Sequence, residues 1–135
     1  MIFVDTGAWY ASAVPDDDNH PAARLWLDAN TQPLLTTDYV IDEALTLLKI
    51  RGYLSLALEL GESLLAGDLA DIALITEDDI HHAWQTFRQF RDKDWSFTDC
   101  TCKVAMERLG ITHAFAFDQH FRQFGTVTVV PVTIP

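Results

Sequence analysis

The chain has 135 residues, of which 49% are hydrophobic, and this size and composition are typical of one globular domain with a substantial core. It carries 20 acidic and 9 basic residues, a formal charge of −11, which argues against tight non-specific binding to nucleic acid because such binding relies on phosphate neutralisation. No apolar run reaches the ~18 residues of a membrane span, and the first residues lack the layout of a signal peptide. We therefore expect one domain over residues 1–135, in the cytoplasm.

Predicted strands and helices alternate along the chain. In chain order they are strand 2–4, helix 6–13, helix 22–27, strand 33–37, a helix from about 40 to the stop at Gly52, helix 54–65, strand 72–75, a helix opened by Thr76-x-x-Asp79, helix 98–109, strand 113–117, a short helical turn to 124 and strand 127–130. Such alternation predicts a parallel sheet covered by helices on both faces. The two cysteines, Cys100 and Cys102, are two residues apart on a predicted helix and cannot bridge each other.

Four acidic residues lie where these elements would bring them to one edge of the sheet. Asp5 and Asp118 directly follow short apolar runs that are predicted to be buried strands, and ligands of open α/β sheets bind beyond the carboxyl ends of such strands. Asp99 stands near the start of a predicted helix, and Glu43 lies beside the apolar stripe of another. Two carboxylates about 5 Å apart repel by roughly 3 kcal/mol at an effective dielectric of about 20. A divalent cation such as Mg²⁺ or Mn²⁺, which prefers oxygen ligands, would remove that repulsion.

Each acid also has a structural interpretation. Asp5 and Asp118 stand where they could cap the helices that follow them, and Asp99 completes the capping-box pattern Ser96-x-x-Asp99. Glu43 is harder to explain in this way, because an unpaired charge beside an apolar stripe is costly and is usually paired or bound to metal. His20 and His120 are isolated in the sequence, and His81 and His82 point in different directions from a predicted helix, so none of the four is predicted to belong to the site.

The order and spacing of four motifs resemble the PIN domain, and in particular the small single-domain PIN ribonucleases of the VapC toxin type. The motifs are Asp5-Thr6 after the first strand, Glu43-Ala44-Leu45 in a helix, Ser96-Phe97-Thr98-Asp99 at a helix start and Phe117-Asp118 after a later strand. The resemblance covers essentially the whole chain and implies a three-layer α/β/α sandwich with a central parallel sheet. By motif match, Asp5, Glu43, Asp99 and Asp118 take the metal-binding catalytic positions of the family, and Thr6 supplies a supporting hydroxyl. Gly7 departs from the pattern, because the family usually has Ser there.

The same resemblance implies a Mg²⁺- or Mn²⁺-dependent endoribonuclease that cleaves single-stranded or structured RNA. It also implies the toxin of a toxin–antitoxin pair, frequently a homodimer, neutralised by a small antitoxin. A basic antitoxin segment would suit this chain, whose formal charge without the four acids is still −7 (−11 less four negative charges). The candidate RNA-binding residues are Arg88, Arg91 and Lys93, although cations there could equally stabilise a helix C-terminus.

Two other classes stay open. A flavodoxin-like signalling domain also gathers acids around Mg²⁺, but that class calls for paired acids after the first strand and a lysine after the last. Here Asp5 stands alone and the tail reads Val-Pro-Val-Thr-Ile-Pro. The second alternative is a non-catalytic PIN-like binding module, which the intact set of four acids disfavours.

Overall fold

The computed structural model describes residues 1–132, in which strands and helices alternate as the sequence predicts. The elements are β1 (Ile2–Val4), α1 (Thr6–Ala13), α2 (His20–Ala29), β2 (Leu34–Thr37), α3 (Asp38–Ile50), α4 (Leu54–Leu65), β3 (Asp71–Ala73), α5 (Glu77–Gln89), α6 (Phe97–Leu109), β4 (His113–Phe115), α7 (His120–Gln123) and β5 (Thr128–Val130). No helix among these residues is both long enough and apolar enough to cross a bilayer.

The five strands form one parallel sheet in the order β3-β2-β1-β4-β5. The chain runs from β1 outward to β3 and then returns past β1 to β4 and β5. Because crossovers between parallel strands are right-handed, the helices of the outward and the returning connections cover opposite faces. The predicted three-layer α/β/α sandwich with a central parallel sheet is therefore confirmed.

The central strand β1 is buried along its whole length, which fixes the position of the residue that follows it. Phe3 and Val4 are fully buried, and Val4 lies in register with Phe115 of β4. The ring of Phe3 also packs against buried Phe121 of α7, with centroids 6.0 Å apart. The carboxyl ends of β1 and β4 are thus held side by side by the core, and the segments that leave them start from adjacent points.

Several predicted boundaries were wrong by one or two residues, and one of them matters for the site. Strand β4 ends at Phe115, although the apolar run continues to Phe117, so Asp118 lies in the connection to α7 and not at a strand end. The amide of Ala116 still donates to Val130 O at 3.1 Å, after which the chain turns away from the sheet. Helix α2 begins at His20, earlier than predicted, because Pro21 fits the first turn of a helix.

Candidate active site

Asp5 follows β1 and is the most buried of the four acids. Its amide donates to Phe115 O at 3.1 Å and its carbonyl oxygen accepts from Ala8 and Trp9, but its side chain makes no cap hydrogen bond to α1. The residue is 4% exposed. Burial, together with the negative charges of Asp99, Asp118 and Glu43, raises the pKa of Asp5 to about 8. Helix capping therefore does not explain this carboxylate.

Asp99 lies in the first turn of α6 and does form the predicted capping box. The Asp99 amide donates to Ser96 Oγ and the Ser96 amide donates to Asp99 Oδ2, both at 3.0 Å. The residue is 6% exposed. Burial raises the pKa of Asp99, while the Ser96 amide and the nearby His120 act in the opposite direction. The box fixes the carboxylate and leaves it facing other acids.

Asp118 and His120 meet Asp99 across the end of the sheet. The backbone amide of His120 donates to Asp118 Oδ1 at 2.8 Å, which closes a tight turn before α7. The Nδ1 atom of His120 lies 2.9 Å from Asp99 Oδ2 and 3.1 Å from Asp118 Oδ2. One ligand atom from each of these three residues lies within 4.8 Å of the others, the spacing expected of a metal-binding group.

Glu43 is half-buried on α3, a helix whose start is fixed by Thr37, which accepts a hydrogen bond from the Val40 amide at 3.2 Å. Its charge contributes to raising the pKa of Asp5, so the two carboxylates repel each other. The same charge acts on Cys102, whose pKa burial raises well above its usual value. The fourth predicted acid thus shares the electrostatic environment of the first.

The two residues after Asp5, Thr6 and Gly7, bear on whether a cation fits here. Thr6 is 6% exposed, and its Oγ1 has no hydrogen-bond partner among residues 1–132, so a buried hydroxyl next to Asp5 is left for another ligand. A Cβ added at Gly7 would meet Asp5 Oδ2 at 3.9 Å, an ordinary contact. The absence of the serine that the resemblance leads one to expect is therefore not forced by crowding.

This donor set fits a hard divalent cation. Carboxylate oxygens dominate it. Burial and the repulsion between these carboxylates together raise the pKa of Asp5 to about 8, and a cation would relieve the repulsion. Cys100 and Cys102 are both free and buried in helix α6, and burial keeps their thiols protonated, so they do not add soft ligands to the group.

The candidate RNA-binding cations lie at the end of α5 and in the loop after it. Arg88 and Arg91 are exposed, and Arg91 Nε donates to Arg88 O at 3.0 Å, which is the helix-end role left open by the sequence. Lys93 lies 3.7 Å from a carboxylate oxygen of Asp92. A cavity of about 280 Å³ is lined by Arg91 and Lys93 on one side and by Cys100, the neighbour of Asp99 in α6, on the other.

His120 was not predicted to be a site residue. It is isolated in the sequence, and its partners Asp99 and Asp118 come close to it only in the folded protein. The one local signal was the spacing Asp118-x-His120, which allows an aspartate to accept the amide two residues later. Arg108 was missed in the same way, as the partner of buried Asp79, with Nε–Oδ1 and Nη2–Oδ2 distances of 2.9 and 2.8 Å.

A five-stranded parallel sheet with acids gathered beyond its central strands defines an α/β/α protein with a candidate metal centre. The sequence profile of the PIN domain matches residues 2–127, and the chain belongs to the PIN domain family. It is 34% identical over 133 residues to the 23S rRNA-specific endonuclease VapC20 of Mycobacterium tuberculosis, an alignment that covers 97% of this chain and 99% of the relative. The resemblance to VapC-type proteins inferred from the sequence is thereby confirmed.

Two solved structures are similar to this one. The crystal structure of M. tuberculosis VapC20, a sarcin–ricin loop cleaving toxin, superposes with a TM-score of 0.88 at 28% identity over 94% of this chain and 97% of that one. The structure of FitAcB from Neisseria gonorrhoeae superposes with a TM-score of 0.70 at 15% identity, covering 96% of each chain, which is a likeness of fold alone.

Proposed function

We propose that this protein is a divalent-metal-dependent endoribonuclease and the toxin of a toxin–antitoxin pair. Its membership of the PIN domain family and its 34% identity to an rRNA-specific endonuclease support the assignment. The observation that carries it is the burial of Asp5 against Asp99, Asp118 and Glu43, which raises the pKa of Asp5 to about 8. A group of carboxylates that repel one another inside a protein is stable as a set of anions only with a cation among them.

In this proposal Asp5, Glu43, Asp99 and Asp118 hold Mg²⁺ or Mn²⁺, and Thr6 offers its unpaired hydroxyl beside them. When bound, such an ion supplies a water activated as nucleophile and neutralises charge at the scissile phosphate. The chain's own part is positioning. The core holds Asp5 at the end of β1, the capping box holds Asp99, and the turn before α7 holds Asp118. Whichever of the four carboxylates is not bound to the ion directly would orient the water.

The substrate class we propose is a structured RNA loop, because the related VapC20 is an rRNA-specific enzyme that cleaves the sarcin–ricin loop. A formal charge of −11 gives little general attraction to phosphates, so recognition must rely on the shape or sequence of one target. Arg88, Arg91 and Lys93 are the cations that we assign to phosphate contacts near the site, and the exposure of Arg88 and Arg91 is consistent with this assignment.

The partner we propose is a small antitoxin with a basic segment, bound to a toxin homodimer. A cationic side chain that enters the carboxylate group would take over the electrostatic role of the metal and so compete with it. The acidic charge of the whole chain would attract such a segment, and the attraction would weaken as salt rises. The cytoplasmic location stays a prediction from the sequence.

A cleavage assay on a 23S rRNA sarcin–ricin loop oligonucleotide tests the activity. We expect cleavage with Mn²⁺ or Mg²⁺ and none with excess chelator. Asp118→Asn should remove activity with the fold intact by circular dichroism, whereas Asp68→Asn, an exposed acid after α4, should cleave as the wild type does. Cleavage that survives chelation would contradict the metal requirement. No cleavage of this oligonucleotide or of total RNA with Mn²⁺ present would favour a non-catalytic binding module.

A further inference from the structure

His120 is held in a fixed position beside the candidate metal centre. Its neighbour Phe121 is fully buried and packs against Phe3 of β1 and Phe124, so the start of α7 is anchored to the core. The backbone amide of His120 donates to Asp118 Oδ1 at 2.8 Å. The backbone of His120 is therefore held on both sides, by the core through Phe121 and by the turn that carries Asp118, and its side chain is only 20% exposed.

The two carboxylate oxygens nearest to Nδ1 indicate which tautomer the ring of His120 adopts. Nδ1 lies 2.9 Å from Asp99 Oδ2 and 3.1 Å from Asp118 Oδ2, and an ionised carboxylate can only accept. The tautomer with the proton on Nδ1 satisfies both contacts, since that N–H group can be shared between the two oxygens. In this way one N–H group joins two acids that lie 19 residues apart in the chain.

This contact also determines which oxygens remain free. Oδ2 of Asp99 accepts from both the Ser96 amide and His120, so Oδ1 is the oxygen left without these partners. Both oxygens of Asp118 contact His120, one through the backbone amide and the other through Nδ1. Hydrogen-bond donors to a carboxylate that binds a metal fix its orientation and strengthen its binding, as such partners do in metal sites generally.

We propose that His120 is a positioning residue of the metal centre: the Nδ1–H group holds Asp99 and Asp118 in the orientation that binds the ion, without contacting the ion itself. The proposal rests on the proposed nuclease function and adds a fifth residue to the four acids. The role belongs to the Nδ1 side of the ring, and Nε2 is not needed for it. This distinction separates positioning from direct ligation and from proton transfer during cleavage.

Three substitutions at one position test the distinction. In His120→Asn the amide nitrogen occupies the place of Nδ1, whereas in His120→Gln it reaches roughly the place of Nε2, and His120→Ala offers neither. The readout is the affinity for Mn²⁺, measured without RNA by the loss of the free-ion electron paramagnetic resonance signal. His82→Gln on α5 is the matched control, since His82 is exposed and outside the carboxylate group.

We expect His120→Ala to weaken Mn²⁺ binding by about 10- to 100-fold. His120→Asn should recover most of that loss, His120→Gln should not, and His82→Gln should match the wild type. Electron spin echo modulation of Mn²⁺ in the wild-type protein should show no directly bound nitrogen. The proposal would be overturned if His120→Ala bound Mn²⁺ with wild-type affinity, or if His120→Gln recovered as much affinity as His120→Asn. A nitrogen bound directly to Mn²⁺ would also overturn it.

The same measurements separate this proposal from the proposed function. A wild-type protein that binds Mn²⁺ but cleaves no RNA would remove the nuclease assignment, while the affinities of the three variants would still decide the role of His120. A wild-type protein that binds no Mn²⁺ would overturn both.

Discussion

Helices α5 and α6 begin with the same local structure, and the two starts have different consequences. Thr76 with Asp79 and Ser96 with Asp99 each form a complete capping box, and all four hydrogen bonds measure 3.0 Å. Both aspartates are buried, at 1% and 6% exposure. The box of α5 holds an aspartate that forms an ion pair with Arg108, whereas the box of α6 presents its aspartate to the candidate active site.

The difference comes from the third partner. Asp79 pairs with both ends of the Arg108 guanidinium, and these hydrogen bonds, with those from Thr76, outweigh the effect of burial and lower the pKa of Asp79. Asp99 meets His120 together with the acids Asp118 and Asp5 instead, and burial raises its pKa although His120 acts in the opposite direction. The motif Ser/Thr-x-x-Asp therefore specifies a helix start, and the tertiary neighbours decide whether its acid stabilises the fold or serves the site.

Exchanging each aspartate for asparagine should give the largest contrast between the two boxes. Removing a hydrogen-bond partner of a metal ligand typically lowers metal affinity or activity by about 10- to 100-fold. Loss of a ligand itself, in Asp99→Asn, should therefore lower the cleavage rate by at least about 100-fold. Asp79→Asn should leave cleavage unchanged and lower the free energy of unfolding by about 1–3 kcal/mol, because Arg108 loses its charged partner. Cleavage rates and urea-unfolding curves, measured on the same preparations of the two variants, test both expectations. Full activity in Asp99→Asn would exclude Asp99 from the site.

The pH dependence of stability should have opposite signs for the two kinds of acid. Since the pKa of Asp5 is raised to about 8, the metal-free folded protein keeps a proton that the unfolded chain releases near pH 4, so stability falls as pH rises between these values. The fall should be on the order of a few kcal/mol and should be reduced in Asp5→Asn. The contribution of Asp79, whose pKa is lowered, is present at neutral pH and is lost in acid.

Melting temperatures across pH 4–9 with chelator test this sign, with Asp79→Asn as the control that should change only the acidic limb. Adding Mg²⁺ should raise the melting temperature of the wild type more than that of Asp5→Asn, because binding to the folded state alone stabilises it. Equal Mg²⁺ shifts in the two proteins would mean that Asp5 binds no metal.

Removing the capping hydroxyls should change stability and cleavage least, and it gives the closest comparison between the two capping boxes. Thr76→Ala and Ser96→Ala each lose the side-chain acceptor of one amide, so both should lower the free energy of unfolding by about 1 kcal/mol. Only Ser96→Ala should also slow cleavage, by less than about 10-fold, because only that box orients an acid of the site. Equal cleavage in the two variants would mean that the Asp99 carboxylate is held without its box.

The sequence predicted the layered parallel fold and, to within one or two residues, the positions of the strands and helices, because those depend on local signals: apolar runs, helical spacing and caps. The choice of Asp5, Glu43, Asp99 and Asp118 as metal ligands remains a prediction, which their shared electrostatic environment supports. What could not be predicted was pairing over distance. His120 with Asp99, and Arg108 with Asp79, are joined only by the sheet order and the packing of α5 on α6. The end of β4 was missed because Ala116 and Phe117 continue the apolar run after the chain has left the sheet.

The buried thiols of α6 make the protein convenient for labelling. Thiol reagents attack the thiolate, and burial raises the pKa of Cys100 to about 11 and that of Cys102 still further, so neither should take up a dye near neutral pH. They are the only cysteines in the sequence. A cysteine introduced at an exposed position such as His82 would then be the one reactive thiol, and a fluorophore there could report RNA or antitoxin binding without changing the native chain elsewhere.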